Sequence, residues 1–198
     1  MHQVLATASS SPTEQADRLQ RTAAALHARR RSAEAEALAA RASSLLAGAP
    51  DAPPLGRVCH ALAGTLDDLG DRAGAENLYR RAGDIFSTVP TGGPDDSLRI
   101  RCARGLAANL RIQRRPWEAD AILVGALALA EQLLGPSHED TLATMVGLGM
   151  LWEGLGRVDE AEEIYRQALS RAEAAAGTEP DEVAGIAAAL AGLLERRR

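Results

Sequence analysis

The sequence predicts an all-α solenoid, a superhelix of antiparallel helix pairs, and three observations carry that prediction. A frame of small residues recurs four times: Gly70, Ala75, Tyr79, Ala82; Gly156, Ala161, Tyr165, Ala168; and, with arginine in the place of glycine, Arg114, Ala119, Leu123, Ala126 and Arg30, Ala35, Ala39, Ala42. The marker alanines Ala35, Ala75, Ala119 and Ala161 stand 40, 44 and 42 residues apart, a period at which self-similarity means stacked repeating units. The chain is 46% hydrophobic but only 3% aromatic, so its core must be closed by helices that approach one another closely.

The elements follow from punctuation along the chain. Residues 1–12 are rich in Ser, Thr and Ala, with one early apolar patch and no periodicity, and are expected to form a flexible leader, with the array occupying 13–198. Helix pairs are predicted at 13–48 (13–29 with 32–48), 55–87 (55–69 with 73–87), 97–134 (97–113 with 116–134) and 139–175 (139–154 with 158–175), followed by one terminal helix at 180–197. Between pairs stand Gly48 to Pro54, Val89 to Pro94, Gly135 to Ser137 and Gly177 to Pro180, where glycine closes one helix and proline or a capping side chain opens the next. Ser137 with Asp140, and Thr178 with Asp181, have the spacing of capping boxes, and Pro116 suits a first helical turn. Trp117, beside it, is expected to pack against the preceding unit.

Composition narrows the function. A net charge of −5 argues against general attraction to nucleic acid or an anionic membrane, and no apolar run reaches the roughly 18 residues of a transmembrane helix. No targeting segment is recognisable, so a cytoplasmic location is expected. Cys59 and Cys102 are too few for a disulfide scaffold and read as buried thiols.

Beyond spacing, the first helix of each pair carries an apolar residue, then Leu beside a small residue, then a bulky one: Cys59, Leu62, Ala63, Leu66; Ala103, Leu106, Ala107, Leu110; Met145, Leu148, Gly149, Trp152; and, in the terminal helix, Ala187, Leu190, Ala191, Leu194. With Gly135-Pro136-Ser137-His138 as a linker, this resembles the tetratricopeptide repeat of the kinesin-light-chain subtype, from about Ala16 to the end. The likeness is looser in the first unit, where Thr22 replaces the leucine, and at Arg30 and Arg114, where the turn glycine is missing. The resemblance implies that the first helices line a concave groove that holds a protein or peptide partner. It also implies an asparagine before each leucine to grip a peptide backbone, whereas this chain has Ala61, Gly105, Gly147 and Ala189.

Counting along that frame places Arg57, His60, Arg101, Arg104, Arg111 and Met150 on the groove face. Guanidinium groups pair bidentately with carboxylate or phosphate, so an acidic or carboxylate-bearing partner segment is the expected occupant. Asp67, Arg111 and Glu153 alternate in sign across neighbouring units and predict a ladder of ion pairs. The alternative occupant is a small anionic ligand in a closed concave cavity, with or without catalysis.

Catalysis is not expected. His60 and Asp67 share a face but lie about 10 Å apart along a helix, too far for a hydrogen bond. His138-Glu139-Asp140 lacks the second histidine of a helical zinc motif and reads as linker and cap, so no metal, cofactor or catalytic residue is assigned. The terminal helix is apolar round most of its circumference, which makes Ile186, Leu190, Leu193 and Leu194 candidates for a homodimer interface. The alternatives for that helix are continuation of the array or folding back on its own neighbour.

Overall fold

The computed structural model describes residues 10–175 and 179–197, so most of the expected leader and Thr178 lie outside the described residues. Every regular element among them is α-helix: α1 (Pro12–Ala28), α2 (Ser32–Ala47), α3 (Pro53–Leu69), α4 (Arg72–Ser87), α5 (Asp96–Ile112), α6 (Pro116–Leu133), α7 (Glu139–Gly154), α8 (Val158–Ala174) and α9 (Pro180–Arg196). The fold class is the all-α solenoid type of antiparallel helix pairs. The chain divides into two compact units, one running to Ile85 and one from Phe86.

The repeat frame fixes four identical turns. Arg30, Gly70, Arg114 and Gly156 all take left-handed backbone, with φ of 60°, 92°, 64° and 75°. In each, the next residue's amide donates back to a bulky first-helix residue: Arg31 to Leu26, Asp71 to Leu66, Arg115 to Leu110 and Arg157 to Trp152, over 2.8 to 3.0 Å. That bond satisfies a carbonyl the helix end would otherwise leave open. Glycine occupies the position without strain; arginine does so at a cost of about 1 kcal/mol. The sequence frame therefore marks a backbone conformation, and it holds where the glycine does not.

In the first unit α1 packs on α2, and α3 packs against both. The contact residues of α1 and α2 are Ala16, Ala23, Ala35, Ala39, Ala42 and Leu46, all fully buried. A core of alanines buries little area per residue but brings backbones close. Gln20 is buried and donates to Ala61 O and Thr65 Oγ1 of α3. Arg81 of α4 closes the end of α2, donating to Leu46 O and Ala49 O and pairing with Asp51.

In the second unit α5 packs on α6, α6 on α7, α7 on α8 and α8 on α9, while the first helices α5, α7 and α9 also touch in succession. One cluster joins Leu142, Met145, Ile164, Ala168 and Ala172 to Ile186, and another joins Ala161 and Tyr165 to Leu193. Trp152 Nε1 donates to Asp120 of α6 at 2.6 Å, and the Arg157 guanidinium lies 4.8 Å from the Trp152 ring centroid.

Four expectations need correction here. Ile186 and Leu193 are buried in those clusters and Leu190 packs against the second, so α9 folds back on its own neighbours; Leu194 is half-buried. A side chain already removed from water cannot contribute that area again to a dimer. Trp117 is 67% exposed instead of packed. Ser137 does not cap α7: its hydroxyl donates to Arg171 O, while His138 Nδ1 accepts from the Asp140 amide. The ladder through Arg111 and Glu153 does not form, because Glu153 pairs with Arg196 of α9, and Asp67 pairs with Arg72 at the turn it adjoins.

Candidate functional site

Arg101, Arg104, Ala108 and Arg111 follow one another at steps of three, four and three along α5, which keeps them on one helical face. Asp140 sits in the first turn of α7, where the exposed amide end of the helix favours a negative charge. It is buried, and both arginines reach it: Arg101 Nε donates to its two oxygens at 2.8 and 3.1 Å, and an Arg104 terminal nitrogen donates to Oδ1 at 3.0 Å. Thr144 and Thr141 hydroxyls hold the same turn through Asp140 O and Gly135 O.

The two guanidinium groups share a carboxylate but not an environment. Hydrogen bonding to Asp140 raises the Arg101 pKa, whereas burial lowers that of Arg104 despite the same neighbouring charge. Arg101, with its side chain 46% exposed, has donors left over that face solvent; its other acidic neighbour, Glu139, is 4.0 Å away and itself exposed. Asp140 and Glu139 together balance the charge of these two arginines, and Arg111 adds a further positive charge at the recess.

Beside them is a recess of about 100 Å³ lined by Arg104, Ala108, Arg111, Leu123, Gly147 and Met150. The small residues create it, and Met150, more than half exposed, offers an adaptable apolar rim. Of the six groove residues expected from sequence, the second unit thus brings together Arg101, Arg104, Arg111 and Met150. Arg57 and His60 lie on α3 of the first unit, where Arg57 is exposed and the His60 ring lies 5.8 Å from that of Tyr79 at a 60° tilt. Asp140 is the residue that sequence reasoning missed. It lies three residues before Ala143 on the groove-facing row, and counting the frame back one step would have placed it there.

Among the described residues no group of three or more His, Cys, Asp and Glu side chains could hold a metal, and no helix is long and apolar enough to cross a membrane. Burial pushes the Cys59 thiol up to about 11, so it is not a nucleophile near neutral pH. His138 has its Nδ1 committed to the helix cap.

Residues 99–174 match the family model described as tetratricopeptide repeat. No curated protein matches the chain in sequence. Among solved structures, BtubC (BKLC) from P. vanneervenii shares 20% identity at a TM-score of 0.73, covering 93% of this chain and 73% of that one. Kinesin light chain TPR-like repeats of Podosopora anserina share 20% identity at a TM-score of 0.76, covering 94% and 88%. A Rap protein complexed with competence and sporulation factor is 18% identical at a TM-score of 0.68; 90% of this chain aligns with 48% of it.

Proposed function

We propose that this chain, whose residues 99–174 match the tetratricopeptide repeat and whose fold is similar to kinesin light chain repeats, is a non-catalytic interaction module whose α5–α7 face holds an acidic or carboxylate-bearing segment of a protein partner. The observation that carries this reading is the convergence of Arg101 and Arg104 on Asp140 beside the recess of Arg111 and Met150. Asp140 fixes the guanidinium planes before any partner arrives, which reduces the ordering cost of binding. The Arg101 donors left free of Asp140, with Arg111, then meet the incoming carboxylate with charge-assisted hydrogen bonds.

The size of the recess favours a chain segment over an enclosed small ligand. Pockets that bury a small molecule run to roughly 300–1,000 Å³, whereas about 100 Å³ accommodates one small side chain. The missing asparagines at Gly105 and Gly147 point the same way. A partner here is recognised by its charged end and one adjoining side chain, not by its backbone. A Rap protein of similar fold is complexed with competence and sporulation factor, which supports a binding role for this fold.

The test keeps the Asp140 cluster intact. Replacing both Arg101 and Arg104 would strand a buried carboxylate and confuse unfolding with lost binding. Arg111→Glu changes an exposed charge at the recess rim instead. With a fluorescent acidic peptide ending in a free carboxylate, it should lower affinity about tenfold or more, the amidated peptide should bind less tightly, and salt should weaken both. Equal binding by wild type and Arg111→Glu, or by free and amidated peptides, would mean that the face does not recognise carboxylates.

A further inference from the structure

The second helices of the two repeats in the second unit present opposite surfaces to water. On α8 the outward residues are Asp159, Glu163, Arg166, Gln167 and Ser170, as expected of a solvated face. On α6 the same positions carry Trp117, Ala121, Val124, Gly125 and Ala128, with Trp117 67% and Val124 49% exposed, and only Glu118 and Gln132 are polar among the exposed residues of that helix. Trp117, Ala121, Val124 and Ala128 fall at steps of four, three and four and form one stripe along about three turns. The fold does not require this, since α8 does without it. An apolar stripe headed by an exposed tryptophan has the composition of an interface core.

We infer that this stripe pairs with the same stripe of a second copy, the two α6 helices lying antiparallel about a two-fold axis midway between Ala121 and Val124. Two features select a second copy in that orientation. The stripe is bulky at its start and small at its end, so a two-fold lays each Trp117 on the partner's Ala128 while Val124 meets the partner's Ala121; parallel pairing would set tryptophan against tryptophan. Charge agrees. Arg114 stands exposed just before α6, and the same axis carries it to the carbonyl end of the partner helix, where a cation is favoured; Glu131 there is already paired with Arg171 of its own chain. Arg101 lies on α5, and α6 contributes to the recess only its buried Ala119 and Leu123, so neither is consumed.

The test uses the full chain in sedimentation velocity across the micromolar range, with far-ultraviolet circular dichroism as a folding control. Wild type should shift from the mass of one chain to that of two as concentration rises. Val124→Glu should abolish the shift, and Trp117→Ser, which alters a mostly exposed side chain, should weaken it even if the charged variant fails to fold. Orientation is read by oxidation. Val124→Cys, offset from its copy by only about 4 Å of helix rise, should cross-link, whereas Trp117→Cys should not, because antiparallel pairing separates that position from its copy by about 16 Å. Wild type that stays monomeric throughout overturns the inference; so does a dimer indifferent to both Val124→Glu and Trp117→Ser, or faster cross-linking through position 117 than 124.

Discussion

The α5–α6 and α7–α8 repeats share a frame and the same two-helix plan, yet they solve the same three positions with different residues. The α5–α6 repeat has Ala107 and Leu123 at the positions where the α7–α8 repeat has Gly149 against Tyr165. At the left-handed turn, one uses Arg114 and the other Gly156. The frame therefore dictates a sum of sizes and a backbone conformation, and leaves open which residue supplies each. Substitutions that move one repeat toward the other test this directly.

The largest effect is expected at Gly149. A β-carbon there would lie 2.4 Å from Cε1 and 2.6 Å from Cζ of Tyr165. Tyr165 is almost wholly buried between α7, α8 and Leu193 and has nowhere to move. Gly149→Ala should cost about 2–3 kcal/mol despite removing a flexible residue from a helix. Adding Tyr165→Leu, which recreates the pairing of the preceding repeat, should recover much of that loss in denaturant titrations. If the double variant is no more stable than the single one, the two contacts are not equivalent solutions.

The same tyrosine gives the repeats different alkaline behaviour. Burial, with Glu153 adding to it, pushes the Tyr165 phenol up to about 12 from an ordinary 10. The folded state then holds that proton more tightly than the unfolded chain. Its contribution is complete below about pH 10 and is lost as pH rises from there toward 12. Tyr165→Leu should remove this part of the alkaline loss, measured as the change in stability across that interval. An identical alkaline profile in that variant would show that the phenol does not titrate with unfolding.

Much of this was within reach of the residues alone, for a physical reason. A left-handed turn and a close helix crossing each leave a mark at a fixed offset, so the frame locates the turn at Arg30 and Arg114 even though glycine is absent. The Asp140 anchor is harder to see, because its short-range spacing fits a cap and its true partners are 36 and 39 residues upstream on α5. The ladder expected from Arg111 to Glu153 fails for a related reason: alternating signs do not reveal that α9 supplies Arg196 at shorter range. Composition likewise marks α9 as apolar without saying that its own chain covers Ile186 and Leu193.

The smallest effect, and the one that isolates the backbone from packing, is at the turns. Arg114 is exposed and holds a φ of 64°, while Gly156 holds 75° at the same place in the next repeat. No neighbour lies within 4 Å of a β-carbon built on Gly156, so any penalty there comes from backbone conformation alone. Gly156→Ala should therefore cost about 1 kcal/mol. Arg114→Gly relieves a similar strain but gives the unfolded chain more freedom, so its gain should be smaller, about 0.5 kcal/mol. Thermal melts of the two variants should move in opposite directions. A destabilised Arg114→Gly would mean that the arginine side chain contributes more at this turn than its backbone costs, which would make the missing glycine a selected feature of the α5–α6 repeat instead of a tolerated one.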